Sequence, residues 1–167
     1  MDTKTLAKLL AFSSAAMCLG AGPGLADNGE CRHVGGNVLA NFLQPADCAG
    51  SFQNLCTEGI AIGDLRGAVG TSILGISGNV FHVHIHWLTE SGDQIFLNDA
   101  YTTNFPTADR NNRVLVDYLD GINITGGTGA FEGATGTIFS FAAADPKLGQ
   151  GTFRYEGTVC FARVSPP

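Results

Sequence analysis

Residues 81–87 read Phe-His-Val-His-Ile-His-Trp, an unbroken alternation of apolar and polar side chains. A β-strand turns successive side chains to opposite faces, so Phe81, Val83, Ile85 and Trp87 share one face and His82, His84 and His86 the other. The apolar set is the core face. From Cys56 to Phe161, short β-rich runs of this kind alternate with clusters of Gly, Asn, Asp and Pro. Nowhere do apolar residues recur at helical spacing over a stretch of about 12 residues. The body is therefore expected to be all-β.

Eight runs are expected as strands: 58–66, 67–76, 79–89, 94–103, 113–120, 122–125, 135–143 and 151–162. Turn chemistry marks several joints, at Ser91-Gly92-Asp93, at Asp120-Gly121, in the glycine cluster from Gly126 to Gly129, and at Asp145-Pro146. Pro106, Asp109 and Asn111-Asn112 mark a longer loop. Residues 27–55 have weak periodicity, with Gly35-Gly36, Pro45 and two cysteines, and are expected to form an irregular N-terminal arm pinned by a disulfide. An open sandwich is the alternative to a closed barrel, because periodicity alone does not show whether the first and last strands pair.

The N-terminus is read as a targeting segment. Lys4 and Lys8 precede an apolar stretch from Leu9 to Leu19, and Gly24-Leu25-Ala26 places small residues at the −3 and −1 positions of a cut after Ala26. That divides the chain into a signal peptide at 1–26, the arm at 27–55 and a barrel domain at 56–167. The apolar stretch falls short of the roughly 20 residues that a membrane span requires, and no later segment is longer. The expected location is thus secreted or periplasmic. Four cysteines remain after the cut, Cys31, Cys48, Cys56 and Cys160, an even number that favours two disulfides in an exported chain. Of the three pairings, Cys31 with Cys48 and Cys56 with Cys160 is preferred, because Cys56 opens the first expected strand and Cys160 closes the last. In a closed antiparallel barrel those ends meet. The 9 Lys and Arg against 15 Asp and Glu give a net charge of −6, which argues against nucleic acid or an anionic membrane surface as partner.

Two motifs invite a chemical reading. His82, His84 and His86 on one strand face could ligate zinc or copper, since two neutral imidazoles one residue apart can reach the same ion. His82 and His86 lie about 13 Å apart along an extended strand, however, so one ion would take two of them and need further ligands. His33 or Asp99 could supply one. The competing reading is a solvent-facing or half-buried polar stripe on a β-strand, with no cofactor. The Gly-rich segment 126–136 lacks the Lys-Ser/Thr ending and the following helix of a phosphate loop, so it is expected to be a β-turn with bends on either side. The chain has no Gly-x-Ser-x-Gly elbow, no His-Glu-x-x-His helix and no dinucleotide fingerprint.

Gly126-Gly127-Thr128-Gly129-Ala130-Phe131-Glu132-Gly133-Ala134-Thr135-Gly136, with Ile122 to Thr125 before it and Gly157-Thr158-Val159-Cys160 after it, resembles the allene oxide cyclase and dirigent barrel superfamily, whose plant dirigent members carry a similar Gly-Gly-Thr-Gly-x-Phe turn. The resemblance covers roughly 58–161. It implies an eight-stranded antiparallel calycin-like β-barrel, often trimeric in the plant members, whose lumen holds an apolar ligand. Plant members either cyclise an unstable fatty-acid epoxide or steer the coupling of phenoxy radicals. The plant cyclase uses a lumen carboxylate with ordered water, and no position here matches that carboxylate, so no catalytic residue is carried over.

In such a lumen the inward residues Phe81, Val83, Ile85, Trp87, Phe153 and Tyr155 would line a ligand site. Glu58, Asp99, Tyr101, Tyr118 and Glu132 are the polar candidates. A carboxylate buried there would serve as general acid or base, and a tyrosine hydroxyl could hold a carbonyl oxygen. The first expectation for function is an exported, non-catalytic or stereo-directing barrel that binds a small apolar molecule, with a homo-oligomer as the partner state that the resemblance implies. The alternatives are an isomerase or cyclase of the allene oxide cyclase type, and a metal-binding protein acting through the His stripe.

Overall fold

The computed structural model describes residues 30–108 and 113–162. The leader expected at 1–26 lies outside them. Ten strands are present: β1 (Cys31–Phe42), β2 (Cys56–Gly63), β3 (Gly67–Ser77), β4 (Val80–Thr89), β5 (Gln94–Leu97), β6 (Ala100–Pro106), β7 (Val114–Leu119), β8 (Ile122–Gly127), β9 (Thr135–Asp145) and β10 (Gln150–Cys160). They make eight staves. β5 and β6 both pair with β4, β7 and β8 both pair with β9, and within this double panel β5 pairs with β8 and β6 with β7. All pairings are antiparallel, and β10 joins both β9 and β1, so the sheet closes into a barrel without a free edge.

Closure runs through a strand where the sequence predicts an irregular arm. β1 pairs with β10 in one continuous register from Cys31↔Cys160 to Asn41↔Gln150, and with β2 on its other side. Its inward positions are Val34, Gly36, Val38 and Ala40, three of them buried apolar residues. The Gly35-Gly36 pair reads as a turn in sequence, yet here it serves packing. A Cβ on Gly36 would run into the carbonyl oxygen of Ile62 and the ring of Tyr155, so glycine is what lets that tyrosine cross the lumen. Only the second half of the arm is irregular, with short 3₁₀ turns at Pro45–Cys48 and Phe52–Asn54.

The disulfides follow from the same correction. They are Cys31–Cys160 and Cys48–Cys56, not the preferred Cys31–Cys48 and Cys56–Cys160. The principle that the first and last strands meet holds, but the first strand begins at Cys31, so Cys31 faces Cys160. Cys48–Cys56 instead pins the irregular segment to the start of β2.

The expected strand 94–103 also differs, being broken after Leu97. Ile95, Leu97, Ala100 and Thr102 all face inward and are buried. Asn98 and Asp99 occupy the break and shift the alternation by one residue. β3 carries an extra residue, Leu74, opposite β4 and displays it on the outside. In the glycine-rich turn, β8 continues to Gly127 and a 3₁₀ turn follows at Gly129–Phe131. Gly129 sits at φ +53° against the Asp93 side chain, where a Cβ would collide with the carboxylate, and Asp93 accepts the Ala130 amide proton there at 3.3 Å.

Candidate ligand cavity in the barrel

The lumen has two unlike ends. At the lower end, Leu65 in the β2–β3 turn folds over the opening and is buried. Its N–H donates to Tyr155 Oη at 3.0 Å and its carbonyl accepts from Trp87 Nε1 at 3.1 Å. The Trp87 and Tyr155 rings meet edge to face with centroids 5.2 Å apart. These three residues close the floor, and every polar atom they bring inside has a partner, as burial demands. Burial raises the Tyr155 hydroxyl pKa above its ordinary value, partly offset by the Leu65 backbone hydrogen bond, so the group stays a neutral hydroxyl.

Above that floor a narrow void of about 30 Å³ separates Trp87 and Tyr155 from Tyr118 and Phe153. The upper half then widens into a cavity of about 360 Å³, reaching the barrel mouth at Phe42, Gly78, Pro106 and Pro146. Its walls are apolar, from Ile73, Phe81, Val83, Val114, Val116 and Phe153. Its polar groups are neutral: the hydroxyls of Thr57, Thr71, Thr102 and Tyr118, and the amides of Asn79 and Asn104. Thr102 is the one buried polar residue among those described. Asn104 Nδ2 donates to the Thr102 hydroxyl at 3.2 Å and to the Asn79 carbonyl at 3.3 Å. Burial pushes the Tyr118 pKa far above the ordinary tyrosine value, opposed only by the neighbouring Thr71 side chain. No Asp, Glu, Lys, Arg or His lines this cavity among the described residues.

The structure places the sequence candidates unevenly. Phe81, Val83 and Phe153 line the cavity, while Ile85, Trp87 and Tyr155 lie below it. Of the polar candidates only Tyr118 faces inward. Glu58 is on the outer wall, because Thr57, Gly59 and Ala61 take the inward positions of β2. Asp99 and Tyr101 would alternate inward with Ile95 and Leu97 on one unbroken strand, and the break at Asn98-Asp99 sends both outside. Glu132 is exposed beyond the 3₁₀ turn. The threonines and Asn104 were the residues missed. Thr71 was legible as the inward position between Val69 and Ile73, whereas Thr102 and Asn104 depend on the shift in alternation.

The histidine stripe stands outside the barrel, as the alternation required. The Asp99 carboxylate bridges two of its members, accepting from His84 Nδ1 at 2.6 Å and lying 3.2 Å from His82 Nε2. The His82 ring stacks on Tyr101 with centroids 4.7 Å apart, and the His84 and His86 rings meet edge to face at 4.5 Å. The hydrogen bond from His84 is the main reason that the Asp99 pKa lies below its ordinary value; burial works against it, and His84 and His82 add attraction when they are protonated. Among the described residues no three His, Cys, Asp or Glu side chains are arranged to hold a metal ion. Nor is any helix long and apolar enough to cross a membrane.

No protein-family profile matches this chain, and no curated protein matches it. Among solved structures, the pterocarpan synthase dirigent protein GePTS1 aligns over 89% of this chain and 100% of its own, at 14% sequence identity and a TM-score of 0.35. The barrel described above rests on its own strand pairing.

Proposed function

We propose that this is an exported barrel that holds a small, uncharged, largely apolar molecule in the upper lumen and fixes its shape without attacking it covalently, a stereo-directing role of the dirigent kind. The observation that carries this reading is the cavity of about 360 Å³, open at one end and apolar, with hydroxyls and amides as its polar groups. A site of this kind takes its affinity from buried apolar area and its orientation from a few placed polar groups. Thr102 already accepts from Asn104, so its hydroxyl proton can be given to a guest oxygen. A buried anion or cation would find no counter-charge there and would pay heavily for desolvation. Two disulfides and the leader read at 1–26 support export. Phe139 and Phe141, exposed on β9, support a homo-oligomer.

The isomerase or cyclase reading would have to run on Tyr118 and the threonine hydroxyls, since no carboxylate lines the cavity among the described residues. Native mass spectrometry of protein purified from its own host tests the binding claim. A retained neutral molecule of a few hundred daltons that is absent from an Ala144→Phe variant supports it, Ala144 being a buried wall residue of the cavity. Retention undiminished in that variant would place the guest elsewhere.

A further inference from the structure

The outer wall carries a second concave feature, separate from the lumen. Outward positions on β3 are Ala68, Gly70 and Ser72. Register sets them between Ile60, Glu58 and Cys56 of β2 and Leu88, His86 and His84 of β4. Small side chains on the central strand with large ones on both flanks leave a trough of about 930 Å³ along β3. The trough is amphipathic along its length. Leu39, Ile60 and Leu88 surround its lower half and Phe96 stands higher, level with His86, each between 44% and 64% exposed, an arrangement that leaves apolar area in water. At its upper half stand Glu58, His86 and His84.

His84 is the oriented group. Its Nδ1 is committed to the Asp99 carboxylate at 2.6 Å, which places a proton on Nδ1 and, in the neutral ring, leaves Nε2 as a hydrogen-bond acceptor. An acceptor calls for a ligand that donates. Glu58 and Asp99 beside the trough, in a chain of net charge −6, disfavour an anion. We propose that this trough is a second ligand site, taking a small uncharged molecule with an apolar ring body and a hydroxyl that donates to Nε2 of His84. The ring body lies over Ala68 between Ile60 and Leu88, and the hydroxyl reaches up past Gly70. The proposal does not depend on the lumen being occupied.

The test uses 2-naphthol and its methyl ether, 2-methoxynaphthalene, which keeps the ring system and lacks the donor. Titrations of the intact protein are followed through the histidine ring signals by NMR, with affinities measured for wild type and for His84→Gln. The expected result is that 2-naphthol moves the His84 and His86 ring signals, binds roughly fivefold to tenfold more tightly than the ether, and loses that advantage in His84→Gln. Equal affinity for the two probes would overturn the proposal, as would shifts confined to lumen residues such as Thr102 and Tyr118. Signals of the trough that change with protein concentration and do not respond to 2-naphthol would also overturn it, assigning the surface to a second copy. The wild-type titration stands even if the variant fails to fold.

Discussion

The disulfide at the barrel seam gives the most discriminating perturbation. Cys31–Cys160 ties residues 129 apart in sequence, whereas Cys48–Cys56 ties residues 8 apart. In the chain-entropy description the long link raises the free energy of the unfolded chain by about 5 kcal/mol, and the short one by roughly 2.5 kcal/mol. Cys31 is exposed and Cys160 half-buried, so serine at both positions leaves little new cavity to add to that cost. Equilibrium urea unfolding of a Cys31→Ser, Cys160→Ser double variant should therefore show a loss of about 4–5 kcal/mol, near the upper end of what removal of a native disulfide costs. The urea dependence should also steepen, because an unfolded chain without the link exposes more surface. The matching Cys48→Ser, Cys56→Ser variant should lose about half as much. A larger loss from the short link than from the long one would refute the reasoning, since it would mean that the chain is not joined at the β1–β10 seam.

Other consequences follow from single contacts. Tyr155→Phe removes the acceptor for the buried Leu65 N–H and should cost about 1–3 kcal/mol by urea or thermal unfolding; a neutral result would mean that the floor is not closed as described. Gly36→Ala forces a methyl group against the Ile62 carbonyl and the Tyr155 ring, and a loss of about 1–3 kcal/mol or more is expected from the overpacking. Asp99 has a lowered pKa, so its contribution to stability is complete above the ordinary carboxyl value of about 4 and is lost as pH falls through the lowered one. Asp99→Asn should then be less stable than wild type near neutrality and converge on it as pH falls through the lowered Asp99 value, measured by urea midpoints from neutrality into acid.

The legible part of this fold lay where side-chain alternation was uninterrupted. Phe81 to Trp87 declared both faces of β4, and the structure buries Val83, Ile85 and Trp87 while leaving the three histidines outside. The illegible parts share one physical cause, which is that local signals report backbone tendency and miss what a neighbouring strand requires. Gly35-Gly36 carries turn propensity, yet β1 runs straight through it because Tyr155 needs the space. Asn98-Asp99 is the one turn-type pair between Gln94 and Thr103, too short to stand out from a strand, yet the two-residue step there exchanges the inner and outer faces of everything after it. That step put Asp99 and Tyr101 on the outside and brought Thr102 into the cavity. The candidate site was therefore readable in its apolar walls and unreadable in its polar groups.

The proposed function stands or falls on the upper lumen, lined by apolar and neutral polar side chains, admitting a neutral guest. Titration with the neutral dye N-phenyl-1-naphthylamine, followed by intermolecular NOEs to the protein methyl groups, tests it most directly. Saturable binding at one lumen site is expected, with NOEs to Val83, Val116 and Thr102 that Ala144→Phe abolishes. NOEs restricted to Ile60 and Leu88 on the outer wall, with those three residues undisturbed, would contradict it.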